Sequence, residues 1–364
     1  MAPRGPSRAP TARLMRWYAR ATRDLPWRRT RDPYAIWVSE IMLQQTQVAK
    51  VIPYYTRFLK RFPTRAVLGR ASLRQVLRAW EGMGYYARAR NLHRAARAMA
   101  PLPVAVWPIT AEVWQRVPGV GRYTASAIAS IAFGEVVPVL DGNTRRVLAR
   151  LDDYAGDARS ARGEAHLLGI AARMMPARNP GGFNQALMEL GATLCTPRAP
   201  QCPRCPLRAA CQANARGTQA LRPRARVSRR VPHLDVACGI VFRADRVLIA
   251  QRPAQALLGG LWEFPGGKRE RGETLAACLR RELREELGIR VRVGRERAAL
   301  EHAYSHYSVT LHVFNCALVS GTPRAIQAAD IRWARVRDLG RYPMGKLDRQ
   351  VARSLREEEA RERA

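Results

Sequence analysis

The chain has 364 residues, with 63 Lys plus Arg against 29 Asp plus Glu, so its formal net charge is +34. At 47% hydrophobic residues it holds enough apolar material for packed cores, which excludes wholesale disorder, and its length suits two domains at roughly 100 to 200 residues each. No run approaches the roughly 18 consecutive apolar residues of a membrane-spanning helix, so a soluble protein is expected, and we expect a monomer in the bacterial cytoplasm, associated with the nucleoid. Lys occupies only positions 50, 60, 268 and 346, and nearly all the positive charge is therefore Arg, whose planar fork suits phosphate. A surface of this sign favours nucleic acid as partner over an anionic membrane.

In chain order, residues 1–10 read as a basic tail and residues 11–211 as helical, with apolar clusters three and four apart and punctuation at Pro53, Pro63, Pro101, Pro103, Pro108 and Pro118. The end of this span, 195–211, is rich in Cys and Pro. Residues 212–234 are polar and basic and read as a linker. From 235 to 355 apolar runs at 236–242 and 247–250, and alternation at 308–318, predict strands around one helix over about 274–287. Residues 356–364 read as a charged tail. The fold class expected is an all-α domain followed by a mixed α/β domain.

Within the helical span, Glu40 stands among Trp37, Ile41 and Leu43, neighbours that disfavour its ionised form and suit a general acid; a partly exposed helical Glu is the simpler alternative. The string Val117-Pro-Gly-Val-Gly-Arg-Tyr-Thr-Ala125 places Gly119 and Gly121 in a tight turn between two helices. Open N–H groups at the start of the second helix make a phosphate-binding geometry, although an ordinary helical hairpin would read alike. Asp141, before Gly142 and Asn143, has the form of a helix N-cap. Cys195, Cys202, Cys205 and Cys211, spaced C-x6-C-x2-C-x5-C, supply four thiolates to an iron-sulfur cluster or a structural zinc, two disulfides being the alternative.

These features together carry a resemblance. The cysteine spacing resembles the iron-sulfur loop of the endonuclease III-like DNA glycosylases, and the 117–125 turn resembles the helix-hairpin-helix of that superfamily. Leu25-Pro-Trp-Arg28, the 37–48 segment, Trp80-Glu-Gly-Met-Gly-Tyr-Tyr-Ala-Arg-Ala-Arg-Asn-Leu-His93 and the Asp-Gly-Asn turn are similar to the adenine DNA glycosylases, in that family's order, over most of residues 11–215. The resemblance implies one 4Fe-4S cluster and base-excision repair of adenine mispaired with 8-oxoguanine or guanine in double-stranded DNA.

Carried over by position, Glu40 would protonate adenine N7 and later help activate water, and Asp141 would stabilise the cationic sugar. Tyr123 and Asn143 would support the two acids. Arg28, Leu43 and Gln45 would line the pocket for the flipped adenine, Tyr85 would wedge into the base stack, and Gly119 and Gly121 would shape the grip on backbone. Bifunctional members carry Lys where this chain has Tyr123, so a monofunctional enzyme is implied.

Beyond the linker, Gly267-x5-Glu273-x7-Arg281-Glu282-Leu283-Arg284-Glu285-Glu286-Leu287-Gly288-Ile289 resembles the Nudix box of the MutT hydrolases. Glu282, Glu285 and Glu286 fall on one helical face, where with the Gly267 carbonyl they would hold Mg2+. Adenine glycosylases usually carry a MutT-like domain whose box has decayed and which reads 8-oxoguanine. His302-Ala-Tyr-Ser-His-Tyr307 resembles its reading loop, with Tyr304 in place of Phe, which implies lesion contacts from Tyr304, Ser305 and His306, and from Thr46 in the helical part. The intact box is the departure, and it raises the expectation of retained Mg2+ and of 8-oxo-dGTP hydrolysis. The alternative functions are a nucleotide-pool pyrophosphatase that the helical part tethers to DNA, and a non-catalytic lesion sensor.

Overall fold

The computed structural model describes residues 9–103, 105–224, 231–304 and 307–363. They group into two units, one of residues up to 70 with 94–227, the other of 71–93 with 228–364. The helical span expected over 11–211 thus contributes 71–93 to the second unit. Among the described residues no helix is long and apolar enough to cross a membrane.

The first unit is helical, and its centre is the Pro33–Leu43 helix. Asp32 caps its start by accepting from the Tyr34 and Ala35 N–H groups, and Pro33 takes the first position, where no N–H is needed. Every residue from Tyr34 to Met42 is buried, as befits a helix apolar all round. The Arg122–Phe133 helix packs on it, and its run of Ala125, Ser126, Ala127, Ala129 and Ser130, all buried, lets the two backbones come close. Pro53, read as punctuation, stands inside the Val48–Arg61 helix, which forgoes one internal hydrogen bond there.

The Pro180–Thr193 helix packs between its neighbours by means of two glycines. A Cβ on Gly181 would lie 2.5 Å from the Ser130 carbonyl oxygen, and one on Gly191 would lie 2.7 Å from the Asn143 Cβ. Between them, buried Asn184 accepts from the Val139 N–H at 3.2 Å and donates to Ser130 Oγ and the Val137 carbonyl at 2.9 Å each. The extended segment that delivers Asp141 is therefore fixed by hydrogen bonds along its length.

Residues 212–224, read as linker, fold back on this unit. Buried Arg150 donates to the Gln219 and Arg222 carbonyls at 2.8 and 3.0 Å, and Arg216 and Arg222 pair with Asp153 at 3.0 and 2.8 Å. The 225–230 part of the expected linker lies outside the described residues.

The second unit holds a seven-stranded sheet built from β1 (His233–Arg243), β2 (Arg246–Gln251), β3 (Trp262–Glu263), β4 (Gly266–Lys268), β5 (Arg290–Ala303), β6 (Ser308–Ser320) and β7 (Asp330–Arg335). β1 and β6 are parallel neighbours; β5 pairs with β6 and β4 with β1 antiparallel. Alternation of side chains sends Ala237, Val241 and Cys316 to the Leu275–Leu287 helix, which offers Cys278, Leu279 and Leu283. Cys238, Ile240, Leu311 and Val313 face the other way, onto Leu347, Val351 and Leu355 of the Lys346–Arg363 helix. The 356–364 tail expected from sequence is, as far as it is described, the end of this helix.

Residues 71–93 belong to the same unit through specific bonds. The Arg90 guanidinium donates to the Gly259 carbonyl at 2.8 Å, Tyr86 Oη donates to the Met344 carbonyl at 3.4 Å, and Arg349 pairs with Glu81.

Candidate active site

One cavity of about 520 Å3 in the first unit is lined by Glu40, Asp141, Tyr123 and Asn143, and equally by Arg28, Leu43, Gln45 and Thr46. Eight side chains scattered over 116 positions of sequence thus meet around one space large enough for a base. Tyr85 and Tyr304 stand in the second unit. Ser305 and His306 lie outside the described residues.

Glu40 comes from the central helix and is 4% exposed. Its Oε2 is buried without a hydrogen-bond partner. Burial pushes its carboxyl up to about 7, the nearby Asp141 charge adds to the rise, and Tyr123 and Arg28 oppose it. The group is therefore part protonated at neutral pH, as an acid that must deliver a proton requires. Asp141 is the N-cap of the Gly142–Leu151 helix: its Oδ1 accepts from Thr144 N–H at 2.7 Å and from Thr144 Oγ at 2.9 Å, and Thr144 returns a bond to the Asp141 N–H at 2.8 Å. The capping reading and the catalytic one therefore coexist, because capping leaves the other carboxylate oxygen for the cavity.

Asn143 Oδ1 accepts from Arg146 at 2.9 Å, and the Tyr123 hydroxyl donates to Met188 Sδ at 3.1 Å. Tyr123 also stands within hydrogen-bonding reach of Glu40. Gln45 takes a left-handed φ of 55°, which turns the chain sharply after the central helix and brings Gln45 and Thr46 to the cavity. Gly119 likewise has φ 81°, and Gly121 opens the Arg122–Phe133 helix with no side-chain cap, which leaves its first N–H groups open to phosphate.

Sequence reading missed Glu189, although it lines the same cavity. Its side chain is fully buried and bonded to Arg23 at 2.7 Å and Arg28 at 2.7 Å. Burial works to raise its carboxyl, but the two guanidiniums prevail and hold it at about 2. The available signal was a lone acid in an otherwise apolar helix, Phe183-Asn-Gln-Ala-Leu-Met-Glu189. Glu189→Gln is expected to cost about 3 kcal/mol by leaving Arg28 uncompensated. A carboxylate held below its unfolded value of 4.5 stabilises the fold above that pH and loses the effect as pH falls toward 2. Chemical unfolding should thus show the deficit at pH 7 and a shrinking one toward pH 3; a constant deficit would point to packing alone.

The four cysteines line a second, smaller cavity. Burial lifts the Cys205 thiol to about 11, with the other three cysteines adding to the rise, a penalty that a positive metal centre would reverse. Arg150 Nη1 stands 3.4 Å from Cys195 Sγ and donates to the Thr196 carbonyl at 2.7 Å, and its Nη2 donates to the Pro197 carbonyl at 2.9 Å. The neighbouring Arg146 donates to the Cys195 and Gly191 carbonyls at 2.7 and 2.8 Å. The donor set fits an iron-sulfur cluster. Arg198, Arg204 and Arg208 are exposed on the loop.

In the second unit the box residues lie on and beside the Leu275–Leu287 helix, where Arg281 gathers its acids into ion pairs. Gly267 sits against the Glu282 carboxyl, where a Cβ would approach to 2.2 Å. Arg281 pairs with Glu273 at 3.0 Å, Glu282 at 2.9 Å and Glu285 at 3.3 Å. Burial, with Glu282 and Glu285 beside it, raises Glu286 to about 7. Among the described residues, no group of three or more His, Cys, Asp or Glu side chains is gathered as a metal site.

Residues 38–170 match the HhH-GPD superfamily base excision DNA repair proteins, and residues 236–354 match the NUDIX domain. The human adenine DNA glycosylase is 38% identical over 376 aligned positions, covering 88% of this chain and 69% of that protein. The chain belongs to the adenine DNA glycosylase family. The Arabidopsis thaliana adenine DNA glycosylase is 39% identical across 69% of this chain and 46% of its own length. A solved thermostable thymine-DNA glycosylase superposes with a TM-score of 0.52 at 27% identity, over 57% of this chain and 95% of that one. This glycosylase therefore joins a helical repair domain to a Nudix domain, as the sequence resemblance implied.

Proposed function

We propose that the protein excises adenine mispaired with 8-oxoguanine or guanine from double-stranded DNA by hydrolysing the N-glycosidic bond. The observation that carries this reading is a buried carboxyl held at about 7 in the same cavity as a helix-capping Asp141. Glycosidic cleavage through an oxocarbenium-like state needs an acid on the leaving group and negative charge near the sugar. Glu40 donates its proton to adenine N7, and the Asp141 carboxylate faces the sugar as positive charge develops. Arg28, Leu43 and Gln45 hold the extruded base, Tyr85 fills the stack it leaves, and Tyr304, Ser305, His306 and Thr46 read the opposite lesion. Tyr123, in place of the Schiff-base Lys, leaves the chain monofunctional.

Cys195, Cys202, Cys205 and Cys211 would hold one 4Fe-4S cluster, which when bound fixes the loop that carries the exposed arginines. Gly267, Glu282, Glu285 and Glu286 would hold Mg2+, which would supply positive charge beside Glu286, whose carboxyl burial and its acidic neighbours raise to about 7. The intact box is what favours a second activity, hydrolysis of 8-oxo-dGTP. Single-turnover excision on A:8-oxoguanine, A:G and A:T duplexes tests the main reading. Adenine release from the mispairs is expected, with strands cut only after alkali; no release from either mispair sinks it. Monophosphate production from 8-oxo-dGTP with Mg2+, lost in Glu282→Gln, tests the second.

A further inference from the structure

In the second unit, three residues in four at the 82–85 turn take left-handed backbone: Gly82 at φ 88°, Gly84 at φ 77° and Tyr85 at φ 49°. Glycine adopts this region freely, but an aromatic residue does so against its own sterics, so the surroundings must hold it there. The residues on either side of Tyr85 are pinned. Trp80 Nε1 and Arg88 Nη2 both donate to the Gly84 carbonyl, at 3.2 and 3.1 Å. The Gly82 N–H donates to the Tyr86 hydroxyl at 3.1 Å, and the Arg88 N–H donates to the Tyr85 carbonyl at 2.9 Å. Tyr85 itself stays 38% exposed, while Trp80 and Arg88 are buried. The Arg88 guanidinium lies 5.3 Å from the Tyr85 ring centre and 5.5 Å from that of Trp80. A tethered turn that projects one ring is built differently from an exposed tyrosine on a loose loop.

We infer that Arg88 is a positioning residue for Tyr85, its guanidinium bonded through Nη2 to the Gly84 carbonyl and lying over the Tyr85 and Trp80 rings, so that the ring is aimed before DNA arrives. This rests on the reading of Tyr85 as the wedge. Burial keeps the Arg88 guanidinium down near 10, a cost the fold bears for a cation that a Met of similar length would avoid. Lys is a poor replacement, because a compact ammonium cannot both bond the Gly84 carbonyl and spread its charge over two rings.

The test compares Tyr85→Ala, Arg88→Met, Arg88→Lys and the Tyr85→Ala/Arg88→Met double variant in single-turnover excision. In a Glu40→Gln background, fluorescence of 2-aminopurine at the target position reports extrusion. Arg88→Met is expected to slow excision roughly 10- to 100-fold and to cut the fluorescence rise, with Tm and duplex affinity near wild type. Arg88→Lys should recover less than half of the loss, and the double variant should be no slower than Tyr85→Ala. If the two losses multiply, or if Arg88→Met extrudes the base as wild type does, Arg88 does not act through Tyr85. If Arg88→Met fails to fold, Arg88→Lys carries the comparison, and a wild-type fluorescence rise there overturns the inference. Full activity in Tyr85→Ala would instead remove the wedge reading on which this one stands.

Discussion

A Glu40→Gln protein is expected to bind its mispaired duplex and release adenine at least about 100-fold more slowly, within the range that a positioned acid supplies. The wild-type rate should fall about tenfold per pH unit above about 7, where Glu40 gives up its proton, and the variant should lack that limb. The substitution should move stability the opposite way from activity. Glu40 has a folded value raised from 4.5 to about 7, so the folded state binds its proton more tightly than the unfolded one. Ionisation then costs stability that builds between pH 4.5 and 7 and persists above. The difference converts to about 3 kcal/mol, so Glu40→Gln should unfold at higher denaturant than wild type at pH 8 and at a similar concentration at pH 4. An inactive variant that is also less stable at pH 8 would mean that Glu40 is a packing group.

Asp141→Asn separates capping from catalysis. Asn accepts the Thr144 N–H as Asp does and is an equally good N-cap, so stability should change by less than about 1 kcal/mol. The negative charge facing the sugar is lost, and excision should slow by about 10²- to 10³-fold, the usual worth of one preorganised electrostatic contact. The comparison is unfolding midpoint against single-turnover rate on the same preparation. Wild-type excision by this variant would leave Asp141 as a cap and nothing more.

What the sequence made legible was local. Cysteine spacing, the Gly119 and Gly121 turn, the Asp141 cap and the box helix capped by Thr274 are each written within a few residues, where propensity and hydrogen-bond chemistry act. Glu189, Arg146 and Arg150 were invisible for the opposite reason. Glu189 meets Arg28 across 161 positions, and Arg150 meets the cysteine loop across 45, so only packing reveals that these charges are buried and paired. The 212–224 segment misled because polar, basic composition resembles a free linker, while its bonds to Arg150 and Asp153 depend on partners far back in the chain. Residues 71–93 read as one more helical stretch, and no periodicity could say which unit their side chains serve.

The two glycines of the Pro180–Thr193 helix bear on how loss-of-function changes distribute over the chain. Gly191 has no chemistry, yet one methyl there would press on Asn143, and Asn143 sits two residues past Asp141. Gly181 has the same relation to Ser130 and Ile131, on the helix that begins with the phosphate-facing turn. A random mutagenesis screen for failed repair should therefore recover changes at these two silent positions alongside changes at the acids. The sensitivity map of the enzyme would extend along the helix seams that set the spacing of its catalytic groups.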